Sequence, residues 1–207
     1  MKTLLHIDTS IHSAQGESSR LAARFVERFR HEHPQDSVIH RDLAHDPVPH
    51  LTAERFAAFV ARPEARTPAQ AAIAGESDAL IAELERADLV VLAVPMYNFG
   101  IPSALKAYFD HVARSGRTFR YTAKGPEGLL KGKKAVVFAT RGGVYAGTSR
   151  DTQTPYLRDF LAFVGITDVE FVYAEGLAMG ASARDAAVAQ AERAIERLVG
   201  PVLAEAA

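Results

Sequence analysis

Hydroxyl side chains gather near the start of the chain, directly before a helical pattern. The run from Thr9 to Arg20 contains four serines and one glycine, and apolar residues then recur at helical spacing from Ser18 to His33. Hydroxyl donors and the unpaired backbone N–H groups of a helix N-terminus stabilise an anion without any lysine, because the helix dipole is positive there. The run therefore resembles a phosphate site. The alternative is that Ser18 or Ser19 only caps the helix.

Aromatic and amide side chains follow the apolar run Leu89–Val94, where a loop is normally small and polar. Residues 95–102 read Pro-Met-Tyr-Asn-Phe-Gly-Ile-Pro. A flat aromatic ligand beside this loop would account for its composition. The alternative is that Met96, Tyr97 and Phe99 only continue the core past the end of a strand.

Paired glycines follow the next apolar run, Ala135–Ala139. Residues 140–147 read Thr-Arg-Gly-Gly-Val-Tyr-Ala-Gly. Gly142 and Gly143 let the backbone approach a ligand closely and present N–H groups to it. A plain turn is the alternative.

These loops follow strands in a regular alternation of strand-sized runs and helical segments. The five runs are Leu4–Ile7, Ser37–His40, Leu89–Val94, Ala135–Ala139 and Val169–Tyr173. Helical periodicity covers Ser18–His33, Ala69–Arg86, Pro102–Arg114, Thr154–Val164 and Ala183–Leu203. The pattern predicts an α/β fold with a doubly wound five-stranded parallel sheet and helices on both faces, because each right-handed crossover places a helix against the sheet.

The order of the strands decides whether the three loops meet. Open parallel sheets bind ligands at the carboxyl ends of their strands, where the strand order reverses. In the order 2-1-3-4-5, strands one, three and four are adjacent. The hydroxyl-rich loop after strand one, the aromatic loop after strand three and the glycine loop after strand four therefore converge. That is the layout of a site for flavin mononucleotide (FMN). The first turn lacks the pattern G-x-G-x-x-G and the chain has no P-loop, which argues against a bound dinucleotide or ATP.

Two segments exceed ordinary connections, although residues 1–207 are expected to form one domain. Residues 42–68 contain four prolines around a short helical piece at Glu54–Ala61, and we expect them to form a lid or to contact a partner. Residues 118–132 combine a β-prone start with a centre rich in Gly and Pro, which predicts a hairpin-like loop.

Composition excludes several classes of function. The chain carries 24 Lys+Arg against 25 Asp+Glu, whereas a domain that binds nucleic acid usually has a basic excess. Without cysteine, it has no disulfides, zinc–thiolate sites, iron–sulfur clusters or cysteine nucleophiles. The first residues fit neither a signal peptide nor a membrane span, so we expect a cytoplasmic location and no membrane partner. We expect no metal site, because His40, His45 and His50 lack carboxylates at ligand spacing.

Four motifs resemble one family in their order and spacing. They are Pro95-Met96-Tyr97-Asn98-Phe99, Thr118-Phe119-Arg120-Tyr121-Thr122, Gly125-Pro126-Glu127-Gly128-Leu129 and Thr140-Arg141-Gly142-Gly143. Together they are similar to the FMN-dependent NADH azoreductases, whose members are also described as NADH:quinone oxidoreductases. The similarity continues to Ala174-Glu175-Gly176 and covers nearly the whole chain. It implies a flavodoxin-like homodimer with one FMN per subunit, bound at the dimer interface.

The resemblance also implies cofactor contacts by position. Ser10 and the Gly16-Glu17-Ser18 stretch would bind the phosphate, Met96-Tyr97-Asn98-Phe99 would line the isoalloxazine, and Thr140-Arg141-Gly142-Gly143 would border its pyrimidine side. Three residues depart from the common pattern: Gly16 and Thr140, where many relatives have serine, and Tyr145, where some have histidine. A backbone N–H can replace the hydroxyl lost at Gly16, and Tyr145 is expected to alter substrate preference.

The implied reaction is a two-electron hydride transfer carried by the flavin, with no essential acid–base residue. NADH, or alternatively NADPH, would reduce the flavin and leave before a quinone or azo compound enters the same pocket, a ping-pong cycle. Nitroaromatic acceptors stay open as well. The candidates for walls that hold a planar substrate, some of them from the partner subunit, are Phe99, Phe119, Tyr121, Tyr145 and Phe163. For Phe163 a core position is the alternative.

A one-electron carrier of flavodoxin type and a non-enzymatic binding module are the alternatives. Carriers are typically strongly acidic, whereas this chain has a formal charge of -1. A phosphorelay receiver, as one such module, needs an aspartate at the end of the third strand, where this chain has Pro95-Met96.

Overall fold

The structure, a computed structural model, describes residues 1–204 and the side chains of residues 1–198. The last three residues of the expected domain, 205–207, lie outside the described residues. No helix in the described part of the chain is both long and apolar enough to cross a membrane.

Five parallel strands form the central sheet. They are β1 (Thr3–Asp8), β2 (Ser37–Asp42), β3 (Leu89–Pro95), β6 (Lys134–Thr140) and β7 (Asp168–Ala174). Their spatial order is β2-β1-β3-β6-β7, which confirms the predicted order 2-1-3-4-5. All seven residues of β3 are buried, as a continuous apolar run at the centre of a covered sheet requires. The carboxyl ends of β1, β3 and β6 therefore open on the same edge.

Helices cover both faces of the sheet. They are α1 (Glu17–Glu32), α2 (Ala53–Val60), α3 (Pro68–Arg86), α4 (Ser103–Val112), α5 (Gln153–Val164) and α6 (Ala181–Ala204). On α1, Leu21, Phe25 and Phe29 recur four residues apart and pack against one face together with α6. The other face packs against α3, α4 and α5. This confirms the predicted doubly wound class.

The two long segments have local structure of their own. Within residues 42–68, the short helix α2 begins after the cap Thr52, whose hydroxyl accepts a hydrogen bond from Arg55 N. The next helix, α3, begins with a capping box of Thr67 and Gln70. Pro68, at the first position of α3, needs no hydrogen-bond acceptor for its nitrogen.

Residues 118–132 contain the antiparallel hairpin of β4 (Phe119–Thr122) and β5 (Gly125–Gly128), as the residue pattern predicts. The hairpin lies against the end of α5, where Gly165 adopts a left-handed conformation with φ 108°. A Cβ on Gly128 would lie 2.1 Å from the Gly165 nitrogen, so only glycine allows the two backbones to come this close.

Candidate active site

The loop after β1 ends in a helix N-terminus with an unpartnered buried hydroxyl. Ser18 Oγ is buried and has no hydrogen-bond partner among the described residues. The first N–H groups of a helix have no partner within the helix, and the helix dipole makes this end positive. An anion would therefore gain both donors and a favourable field here. Helix capping does not explain Ser18, because the residue at the N-cap is Gly16, which has no side chain to cap with.

Gly16 allows the loop to close tightly on Ser10. A Cβ on Gly16 would lie 2.2 Å from Ser10 Oγ, so a side chain at this position requires Ser10 to move. The Gly16 N–H donates to Ser13 O at 3.1 Å. The Gly16 N–H is therefore already paired, and the N–H groups of the next residues of α1 are the ones an anion could use. The Glu17 carboxylate pairs with Arg184 on α6, so only the Glu17 backbone is available to an anion.

The loop after β3 is a tight turn with two strained residues. Tyr97 and Gly100 exchange backbone hydrogen bonds of 3.0 and 2.9 Å. Asn98 and Phe99 between them have φ values of 50° and 65°, the conformation of a type I′ turn. Neither residue donates its N–H in a hydrogen bond within the described part of the chain. The turn presents two N–H donors and the half-exposed Phe99 ring at the edge of the sheet.

Hydrogen bonds hold the three loops together. Tyr97 OH lies 3.3 Å from Ser10 Oγ and accepts from Ile11 N at the same distance, which joins the first two loops. Met96 N donates to the carbonyl of buried Thr140 at 2.8 Å, which joins the second and third. The predicted convergence of the loops is therefore present.

The side chain of Arg141 holds the loop after β6 in place through a buried hydrogen-bond network. Its guanidinium is fully buried and donates to Gln153 Oε1 (3.3 Å), Glu175 Oε1 (3.0 Å), Asp151 Oδ1 (2.8 Å) and Thr154 Oγ1 (2.8 Å). The predicted contact of Arg141 with a cofactor is thus restricted to its backbone. Gln153 also donates to Pro95 O at 3.0 Å and so ties this network to the second loop.

Glu175 connects Arg141 to the glycine loop. Its Oε1 accepts hydrogen bonds from the backbone N–H groups of Tyr145 (2.8 Å) and Ala146 (2.9 Å) as well as from Arg141. Residue pattern alone assigned no role to Glu175, because its partners lie about thirty residues away in sequence. One partly buried carboxylate therefore fixes the path of the loop that follows β6.

Asp151 is the second carboxylate of the Arg141 network. Burial by itself raises the pKa of Asp151, but the hydrogen bonds from Thr154 and Arg141 outweigh it and lower the pKa below its ordinary value. Asp151 is therefore ionised at neutral pH and balances the buried guanidinium together with Glu175.

The paired glycines leave their backbone N–H groups without acceptors among the described residues. The carbonyls of Gly142 and Gly143 accept from Ala178 N and Gly176 N, both at 2.9 Å, while their own N–H groups donate to nothing in the described part of the chain. Neither glycine has a positive φ, so a left-handed backbone is not what favours glycine here. A side chain at 142 would meet a tight contact instead, because its Cβ would lie 3.3 Å from the Ala178 Cβ.

The candidate substrate walls form two separate groups. Phe99 and Tyr145 meet edge-on with ring centroids 5.5 Å apart, and Phe99 borders a groove of about 460 Å³. Phe119 packs on Phe163 at 4.3 Å and on Tyr121 at 5.5 Å, next to the hairpin. Phe119 is buried and Phe163 packs against the main core, whereas Tyr121 is 74% exposed.

Comparison with known proteins places the whole chain in one family. A family model described as having a flavodoxin-like fold matches residues 2–199. The FMN-dependent NADH:quinone oxidoreductase of Cellvibrio japonicus is 52% identical over 197 residues, which cover 95% of this chain and 98% of that protein. The FMN-dependent NADH:quinone oxidoreductase 6 of Burkholderia lata is 52% identical over 195 residues, covering 94% of this chain and 98% of its own.

A solved structure agrees with these relatives. The crystal structure of an FMN-dependent NADH-azoreductase from Bacillus anthracis in complex with FMN matches with a TM-score of 0.85 and 25% identity, covering 97% of this chain and 100% of that one. The chain belongs to the flavodoxin-like family of FMN-dependent NADH:quinone oxidoreductases and azoreductases.

Proposed function

We propose that this chain is an FMN-dependent NADH:quinone oxidoreductase and azoreductase that acts as one domain. The names of its relatives support this activity. The observation in this chain that carries it is the buried, unpartnered Ser18 hydroxyl at the N-terminus of α1, on the edge where the aromatic turn and the glycine loop also end. A phosphate beside Ser18 leaves an attached flat ring system within reach of the other two loops.

The residues of the three loops fit FMN. Ser10, Ser18 and the first N–H groups of α1 would hold the phosphate, and the Met96–Phe99 turn would line the ring. The Thr140–Gly143 loop would border the opposite edge of the ring system. When bound, FMN supplies the hydride chemistry, and the protein supplies orientation and electrostatics.

The backbone donors define what the protein contributes to the reaction. The unpaired N–H groups of Gly142 and Gly143 would stabilise negative charge at the ring edge as an oxyanion hole does, without reorganisation during the reaction. Those of Asn98 and Phe99 would fix the ring on its other side. Arg141 is fully buried and uses four of its hydrogen-bond donors on protein partners, so it positions the loop and transfers no proton. We infer that the protein uses no essential acid–base side chain.

A homodimer would complete the site. Leu51, Phe56, Val60 and Tyr121 leave large apolar side chains exposed, and they line a groove of about 590 Å³ between α2 and the hairpin. Exposed apolar surface of this kind marks an interaction site. A second copy of the chain seated on this face would bury it and bring the hairpin aromatics near the partner's flavin site. Sedimentation equilibrium of the wild type and of Phe56→Asp tests this: we expect a dimer that the charge weakens.

The activity is tested by reconstitution and steady-state kinetics. Purified protein incubated with FMN should bind one FMN per chain and then oxidise NADH with both 1,4-benzoquinone and an azobenzene dye. Varying NADH and quinone together should give parallel double-reciprocal lines, as expected when both substrates use one pocket in turn. A protein that binds no FMN would refute the proposal, and intersecting lines would refute the shared pocket. Because NADH is the expected donor, we also propose a cytoplasmic location.

A further inference from the structure

Two histidines and an aspartate meet on the face of the sheet that α1 covers. His6 and His40 are directly paired residues of the parallel strands β1 and β2, and Asp8 follows His6 two residues later on the same face. Asp8 Oδ2 lies 2.9 Å from His40 Nε2, and Asp8 Oδ1 lies 3.2 Å from His6 Nε2. One ligand atom from each of the three residues lies within 4.8 Å of the others.

Part of this cluster is buried without hydrogen-bond partners. His6 is 5% exposed and Asp8 is 3% exposed. His6 Nε2 and Asp8 Oδ1 are close, but their contact lacks the alignment of a hydrogen bond, and neither atom has another partner in the described part of the chain. Their 3.2 Å ion-pair contact satisfies these buried atoms only in part, and an ion bound between them would satisfy both.

The space beside these atoms can accommodate an ion and its water. They line a cavity of about 470 Å³ between β1, β2 and α1, together with Ala14, Ser19 and Glu27. His40 is about half exposed at the mouth of this cavity, so an ion can enter from solvent. Arg30 is the basic residue in the lining, and it is exposed. The buried end of this cavity therefore carries the negative charge of Asp8 and has no buried Lys or Arg side chain that would repel a metal ion.

We propose that His6, Asp8 and His40 form a binding site for a divalent transition metal ion, with Zn²⁺ as the best-fitting ion. Two imidazoles and one carboxylate are a donor set that such ions prefer, and hard ions such as Mg²⁺ prefer oxygen alone. The site supplies three protein ligands and leaves a coordination position open to water from the cavity. None of the three residues belongs to the proposed flavin contacts, so the metal site does not depend on the proposed function.

A metal at this position would link the edge strand of the sheet to its neighbour. β2 pairs only with β1 in the sheet of the described residues, and His40 is its contribution to the cluster. An ion that binds the folded chain and not the unfolded chain raises stability. The thermal midpoint of the protein should therefore rise with added Zn²⁺.

Isothermal titration calorimetry of the FMN-loaded protein, with any affinity tag removed, tests the proposal. ZnCl₂ should bind at one ion per chain, and MgCl₂ should give no saturable heat. His40→Ala removes the half-exposed ligand, and it should weaken Zn²⁺ binding by about 100-fold or more, since losing even an outer-shell partner costs roughly 10- to 100-fold. His45→Ala, an exposed histidine close in sequence and outside the cluster, is the matched control and should bind like the wild type.

Location of the ion is tested by diffraction. Crystals soaked in ZnCl₂ should show an anomalous peak about 2.0–2.2 Å from His6 Nε2, His40 Nε2 and an Asp8 carboxylate oxygen. Any of three results would overturn the proposal: no Zn²⁺ binding by the wild type, equal binding by His40→Ala, or a peak that appears only elsewhere on the protein. Equal affinity for Mg²⁺ would also contradict it, because it would show binding without the imidazoles.

Discussion

Replacing Glu175 by glutamine should loosen the glycine loop and weaken FMN binding. Glu175 Oε1 accepts three hydrogen bonds, from Arg141 Nη1 and from the N–H groups of Tyr145 and Ala146, at 2.8–3.0 Å. Glutamine has nearly the same shape and keeps an acceptor oxygen, so Glu175→Gln removes charge and little volume. The variant should therefore lose only the part of the stabilisation that depends on the negative charge of the carboxylate.

The magnitude follows from the number of contacts. A hydrogen bond to a charged group contributes roughly 1 kcal/mol more than a neutral one, so three bonds set an upper limit of about 3 kcal/mol. Arg141 keeps its 2.8 Å contact with Asp151, which leaves the guanidinium paired. We therefore expect a fall of about 2 kcal/mol in the free energy of unfolding. If about 1.4 kcal/mol of this loss comes from disordering the glycine loop, the Kd for FMN rises about tenfold.

Urea denaturation of the FMN-free protein and fluorescence titration with FMN measure the two effects. The matched control is Glu170→Gln, which changes an exposed acid on the same strand and should change both quantities little. A Glu175→Gln protein with wild-type stability and wild-type FMN affinity would refute this prediction, because the charge of the carboxylate would then contribute nothing to the loop.

Three further predictions concern individual positions. The free energy of unfolding, measured by urea denaturation, should be about 1 kcal/mol higher for Phe99→Gly than for Phe99→Ala, because only glycine adopts φ 65° without strain. Both variants should impair quinone turnover. Gly142→Val should weaken FMN binding measured by fluorescence, because its Cβ meets Ala178 at 3.3 Å and pushes the loop out of place. Asp151 has a lowered pKa in the folded protein, so its stabilisation is complete above the unfolded value of about 4 and is lost as the pH falls through the folded value. The stability difference between wild type and Asp151→Asn should accordingly shrink as the pH falls below about 4.

The fold could be predicted from the sequence because its signals are local. Buried parallel strands are continuous apolar runs, and the helices carry regular periodicity, so every predicted strand and helix of the sheet domain is present. The bounds shift by at most two residues. For instance, α4 is predicted at Pro102–Arg114 and found at Ser103–Val112. Such shifts arise because capping and fraying at the ends depend on hydrogen bonds that the pattern does not specify.

The site was predictable only where its residues follow one another in the chain. The three loops could be identified from their composition, but the Arg141 network could not, since Asp151 and Glu175 reach it from other segments. The His6–His40 pair depends on the register of two strands, which residue spacing does not give. No carboxylate lies at ligand spacing from His40 in the sequence, whereas the sheet brings Asp8 of the neighbouring strand to 2.9 Å from it.

The turn at Asn98–Phe99 separates what stability requires from what the site requires. Two-residue turns of this type are most stable with asparagine followed by glycine, and an aromatic residue at φ 65° costs about 1–2 kcal/mol. The surroundings compensate for this cost: Thr152 donates a hydrogen bond to the Phe99 carbonyl, and Tyr145 contacts the ring. Because the Phe99 ring is half exposed, the free energy gained by burying it offsets little of this backbone strain. The ring is therefore better explained by contact with a planar ligand than by packing. The difference in stability between Phe99→Gly and Phe99→Ala measures the backbone cost, and the turnover of both variants relative to the wild type measures what the ring contributes to substrate contact.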